Sequence, residues 1–234
     1  MQAINKIDTQ PKQSSNKYVQ GSLPTGWNVA LSAHLELCQK CRHEYGDLES
    51  AEVLSWSKGP VEEVANDFSD LVANIIQQPQ HAAADTPLSQ ESSITEIHML
   101  DHSFTLPRVL AKAANDGLEW KKLAGGINQA KVNIDTETQC EFIYMSPGSQ
   151  TPMHRHQGNE ITLVLDGSFS DASGTYEAAD FVIRNSEDEH QPVSEEGCLC
   201  FAVLDSPLTF TQGLARLFNP INRFKFRKTI AHQS

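Results

Sequence analysis

A chain of 234 residues with 39% hydrophobic and 21% charged residues has the composition of a soluble globular protein, long enough for one large domain or two small ones. No run approaches eighteen apolar residues and the start, MQAINKIDTQPKQSSNK, lacks an apolar stretch, so neither a transmembrane helix nor a secretory signal is expected. The net charge of -12 argues against direct nucleic-acid binding, which needs clustered Lys and Arg, although acid can steer a chain to a basic partner or simply keep it soluble.

Five cysteines, an odd number with two spaced C-x-x-C, do not form a disulfide framework and fit a reducing compartment, by default the cytoplasm. Residues 1–20 are polar and weakly patterned. From Trp27 to about Tyr45 the residues Val29, Leu31, Leu35 and Leu37 suit a helix, with Gly46 as its stop. That helix carries His34, Cys38 and Cys41 in the spacing H-x3-C-x2-C, which falls within an arc of about 60° at 100° per residue. One imidazole and two thiolates are three-quarters of a tetrahedral zinc site. A redox CxxC is the competing reading, but thioredoxin-like motifs follow a β-strand, and none precedes this one.

A second helix is expected from Val61 to Ile76, with Pro60 at its start and Val64, Phe68, Leu71, Val72 and Ile75 on one apolar stripe. The following QQPQHAAADTPLSQESS reads as a linker. Beyond it the period changes. CEFIYM (140–145), ITLVLDG (161–167), DFVIRN (180–185) and CLCFAVL (198–204) are rich in β-branched and aromatic residues, spaced by turn formers as in an antiparallel barrel or sandwich. The expected organisation is therefore α + β multidomain: an all-helical part over 1–78, a linker over 79–99 and an all-β part over 100–234. The tail from Arg216 to Lys228 is locally basic and is either a solvated edge or a binding element.

The run GSQTPMHRHQGNEITLVLDG (148–167) carries the sharpest chemistry. In an extended strand His154 and His156 share a face, and a turn at Gly158 brings Glu160 to it. His190, in EDEHQP, is a fourth candidate from a neighbouring strand. Three imidazoles and a carboxylate suit Zn, Fe, Mn, Ni or Co. Cys198 and Cys200 share one face of their strand, either as small core filler or as oxidisable thiols near the metal.

The spacing resembles the first motif of the cupin superfamily, G(x)5HxH(x)3E(x)6G, at every fixed position, with Gly148 and Gly167 as its outer glycines. The second cupin motif is less regular here: Ala179 stands where a turn glycine would fall, and the approach to His190 is longer. The resemblance implies a double-stranded β-helix barrel and a metal. It does not fix a reaction.

Together with GSLPTGWNVALSAHLELCQKCR (21–42), GNEITLVLDGSFSD (158–171) and EHQPV (189–193), the order of the two motifs resembles the ChrR family of zinc-binding anti-sigma factors. The resemblance implies a cytoplasmic, non-enzymatic regulator that sequesters an extracytoplasmic-function sigma factor of the RpoE type. It implies zinc in the helical part and a cupin half that receives singlet oxygen or organic peroxide. The stripe on the second helix then either meets the partner or packs on the first helix. The family's upstream histidine is missing, because no histidine precedes His34. Asp8, His43, a water or a partner residue are candidates for the fourth ligand. The alternatives are a dioxygenase-like cupin enzyme with a helical accessory, and a metal-storage cupin.

Overall fold

The computed structural model describes residues 17–56, 68–77, 96–99, 102–115 and 117–231. Helix α1 (Thr25–Leu37) is followed at once by α2 (Gln39–Trp56), and α3 spans Ser69–Gln77. Thus the single helix expected over 27–45 is two, broken at Cys38, whose φ of -105° and ψ of 99° are extended. Seven residues of unbroken helix would set His34 and Cys41 about 10 Å apart along the axis, and the break at Cys38 falls between them.

Gly46 stops nothing: α2 runs through it to Trp56. A glycine inside a helix costs about 1 kcal/mol, which neighbouring turns absorb when no other stop signal accompanies it. Of the second expected helix, residues 61–67, Val64 included, lie outside the described residues, as does Asp8. Among the described residues no helix is long and apolar enough to cross a membrane.

The remainder is antiparallel β-structure. A hairpin of β1 (Glu96–Met99) and β2 (His102–Thr105) leads to the short helix α4 (Arg108–Ala113). The strands that follow are β3 (Lys121–Lys122), β4 (Ile127–Val132), β5 (Gln139–Met145), β6 (Ser149–Gln150), β7 (His154–His156) and β8 (Glu160–Asp171). Then come β9 (Gly174–Glu177), β10 (Phe181–Arg184), β11 (Glu189–His190), β12 (Val193–Ser194), β13 (Cys198–Leu204), β14 (Leu208–Phe210) and a terminal helix α5 (Asn219–Ala231). The large sheet runs β3-β4-β5-β13-β8-β12-β6, with β9 and β10 also paired to β8, and a smaller sheet runs β11-β7-β14. Together they curl into the half-barrel of a cupin. The four segments read as strands from sequence are β5, β8, β10 and β13.

All seven residues of β13 are buried, because both faces of the central sheet are covered. Its outer face (Phe142, Leu163, Phe201, Val203) packs with Ala30, Leu31 and Ala33 of α1 and Leu110 of α4 in one core. The inner face contributes Glu141, Ile143, Thr162 and Cys200 to a cavity. Helix α1 can lie this close because Gly26 has no side chain: a Cβ there would collide with Thr138 Oγ1 and Cys140 Sγ. Pro24, at the N-cap, offers no side-chain hydrogen bond.

Candidate functional site

The inner end of the barrel gathers one polar cluster. Strand β7 buries His154 and His156 while Arg155 between them is exposed, as strand alternation requires. The chain then reverses at Gly158, where a Cβ would collide with Asp205 Oδ1; the same carboxylate accepts the Asn159 N–H at 2.7 Å. This clamp sets Glu160 at the start of β8. His190 stands opposite His154 in the β11–β7 register. One ligand atom from each of His154, His156, Glu160 and His190 lies within 4.8 Å of the other three, and all four residues are buried.

These residues fit a divalent cation. His154 Nδ1 bonds the Pro152 carbonyl at 2.8 Å, and His190 Nδ1 bonds Asp171 Oδ2 at 3.3 Å. Each ring therefore donates its Nδ1 proton outward and keeps the Nε2 lone pair for the centre. His156 Nε2 lies 3.3 Å from His190 Nε2 and 2.8 Å from Glu160 Oε2. A positive charge at the centre, a proton on His156 or a bound cation, reconciles donors set this close. Burial, with the charge of His190 adding, pushes His154 down to about 4. Burial would raise Glu160, but His156 beside it outweighs this and holds the carboxyl at about 2. Burial would also lower His156, and Glu160 reverses that, pulling it up.

A cavity of about 140 Å³ opens onto this cluster, walled largely by apolar side chains such as Ile127, Ile143, Met145 and Phe210. Cys200 lines it. Its Sγ is 3.9 Å from that of Cys198, which packs with Met145 and Val164, so the two thiols share a side as the alternation predicts.

The second cluster forms at the break between α1 and α2. His34, Cys38 and Cys41 bring three donor atoms within 4.8 Å of one another. His34 Nδ1 bonds the carbonyl oxygen of Ala179 at 2.9 Å, while its buried Nε2 has no hydrogen-bond partner among the described residues. An orphaned imidazole nitrogen beside two sulfurs is what a zinc-type site leaves when its proton-free donors converge. Burial, then the Cys38 contact, pushes the Cys41 thiol up to about 12, so thiolate there requires a cation. Among the described residues no fourth donor joins this cluster, and His43 is exposed.

The structure brings the seven residues named from the sequence together in two clusters and adds groups beside them that residue type did not announce. Asp171 is one, and Arg184, which donates from Nη2 to Asp171 Oδ2 at 2.8 Å and to the Tyr176 hydroxyl at 2.6 Å, is another. Burial would raise Asp171, but bonds from His190 and the Ser173 N–H, with the Arg184 charge, hold it at about 2. The signal for Ala179 was its place in the second cupin motif. It has φ of 74°, the left-handed value that glycine adopts there without strain, and is alone in this among the described non-glycine residues.

Residues 111–206 match the model of the ChrR cupin-like domain. Over 209 residues, 88% of this chain and 93% of the relative, the chain is 30% identical to the anti-sigma-E factor ChrR of Cereibacter sphaeroides. It also superposes with a TM-score of 0.65 and 26% identity on a crystal structure of Rhodobacter sphaeroides SigE in complex with the anti-sigma ChrR, covering 82% of this chain and 95% of that one. The two motifs, in this order on this fold, and the identity along nearly the whole length lead to one conclusion: the chain belongs to the ChrR family of anti-sigma factors.

Proposed function

We propose that this protein sequesters an extracytoplasmic-function sigma factor of the RpoE type in the cytoplasm and releases it on exposure to singlet oxygen or organic peroxide. The observation that carries the reading is the likeness, over 88% of the chain, to a ChrR protein whose relative is seen bound to SigE. The helical part over 1–78 is the half that grips the sigma factor, and the barrel over 100–234, joined through 79–99, is the half that senses.

The helices support this assignment. Phe68, Leu71, Val72, Ile75 and Ile76 on and beside α3 are all exposed, as are Val53, Leu54 and Trp56 on α2. So large an apolar display on a small helical unit marks a protein interface. Zinc at His34, Cys38 and Cys41 fastens the two helices at their break, where metal-binding energy serves as folding energy. Zinc, or another first-row divalent ion, at His154, His156, Glu160 and His190 gives the barrel an oxidation-sensitive centre beside Cys200.

The test is transcription in a purified system. RNA polymerase with the cognate sigma factor should be silenced by a stoichiometric amount of this protein and reactivated after singlet-oxygen treatment of the complex. Full transcription in its presence removes the anti-sigma reading; silencing that oxidants leave intact removes the sensing reading alone.

A further inference from the structure

Both clusters lean on the same short strand. At its leading turn, the Ala179 carbonyl accepts from His34 Nδ1 at 2.9 Å, and the His34 ring rests 5.3 Å from the ring of Phe181, the first residue of β10. The strand runs antiparallel to the start of β8, with Phe181 opposite Leu163 and its last residue, Arg184, opposite Glu160. Arg184 in turn grips Asp171, and the oxygen it grips, Oδ2, also takes His190 Nδ1. The side chains of Arg184 and Asp171 are 8% and 0% exposed, so neither is a solvated surface group.

A metal-bound imidazole is aimed by whatever accepts its other N–H, and such acceptors govern affinity almost as strongly as the ligands. Here the acceptor for His34 is the backbone at one end of β10, and the acceptor for His190 is a carboxylate fixed by the other end. Asp171 buried without Arg184 would be an uncompensated charge, so the pair acts as one brace. We propose that Asp171 and Arg184 are positioning residues of the His154, His156, Glu160 and His190 centre, and that strand β10 makes metal binding at this centre and at the His34, Cys38 and Cys41 cluster mutually dependent. The proposal rests on the reading that both clusters hold metal.

Cobalt(II) titration of the full chain against a competing chelator tests it, because thiolate-to-cobalt absorption reports the cysteine cluster alone while elemental analysis counts both. Asp171→Asn keeps the shape and removes the charge; Arg184→Lys keeps the charge and removes the fork. Each should weaken the histidine centre about 10- to 100-fold. Each should also weaken the cysteine cluster, which neither touches, by about fivefold or more, and Cys38→Ser should weaken the histidine centre by a similar factor, since linkage is reciprocal. Unchanged affinity at the histidine centre in both folded variants overturns the positioning role. A loss there with an unaltered thiolate signal overturns the dependence. An unmodified chain that takes up no cobalt at either cluster instead overturns the reading beneath both, and is distinguishable because it appears before any substitution.

Discussion

Asp135 Oδ2 accepts the backbone N–H of Gly26 at 2.5 Å, so a carboxylate from the barrel caps the first turn of a helix 109 residues earlier in the chain. The same side chain accepts from the N–H groups of Glu137 and Thr138, which organise its loop. Helix α1 supplies no cap of its own, and this one fixes both its start and its seat on the sheet. Asp135→Ala should lower stability by about 1–2 kcal/mol, the usual cost of losing a helix cap. Gly26→Ala should cost about 1–3 kcal/mol through overpacking against Thr138 and Cys140. Thermal unfolding of each variant measures both, and a neutral Gly26→Ala would show that the helix does not press on the barrel.

Ala179 leads to the opposite expectation. A left-handed alanine costs about 1–2 kcal/mol relative to a helical or extended one, and glycine is free of that cost but loses more chain entropy on folding. Ala179→Gly should therefore raise stability by roughly 0.5–1 kcal/mol. Denaturant midpoints compared at equal slope decide it.

On α3, Leu71→Asp and Ile75→Asp should leave the free protein's stability within about 0.5 kcal/mol, because both side chains are already exposed. If they face the sigma factor, each should weaken the complex by about 1–3 kcal/mol, or roughly 5- to 150-fold. Binding measured by titration calorimetry is the check. Unchanged affinity in the double variant would place the interface elsewhere.

Metal stoichiometry is the plainest measurement on the two clusters. Protein prepared with excess zinc should hold two equivalents; Cys38→Ser should lose one and His154→Ala the other. Loss of both from either variant would point to dependence strong enough to survive saturation.

Acid should unfold the metal-free protein in a definable order. His154, down to about 4 from an ordinary 6.5, binds fewer protons folded than unfolded, so stability falls as pH drops from 6.5 to 4. Glu160 and Asp171, held at about 2 against ordinary values of 4.5 and 3.8, add a loss as pH falls from 4.5 toward 2. His156 is raised, so its contribution is complete below 6.5 and does not vary in that window. Urea unfolding at successive pH values should show a decline that steepens below 4.5, and Asp171→Asn should flatten the lowest part. A flat profile in the unaltered protein would contradict these shifts.

The clustering of the candidate ligands was legible in the sequence because their placement is local. Strand alternation alone puts His154 and His156 on one side, and Gly158 marks the reversal that delivers Glu160. The break at Cys38 was not marked by any helix-stopping residue. It falls between His34 and Cys41, where helical phase alone predicts continuity. Asp171 and Arg184 escaped notice for a different reason: what joins them is the folding of β9 and β10 back onto β8, and no spacing in the chain announces that register. Nor did residue patterning reveal that Ala30, Leu31 and Ala33 would share a core with Phe142 and Phe201.

That shared core has a consequence for dissecting the molecule. Strand β13 is wrapped on both sides, and one of its wrappings is α1. Cutting away the first hundred residues would strip Ala30, Leu31 and Ala33 from the flank formed by Leu163, Phe201 and Val203, baring a greasy wall on an otherwise acidic barrel. Such a fragment should self-associate, and whatever it then reports about metals or oxidants would describe the aggregate rather than the intact chain.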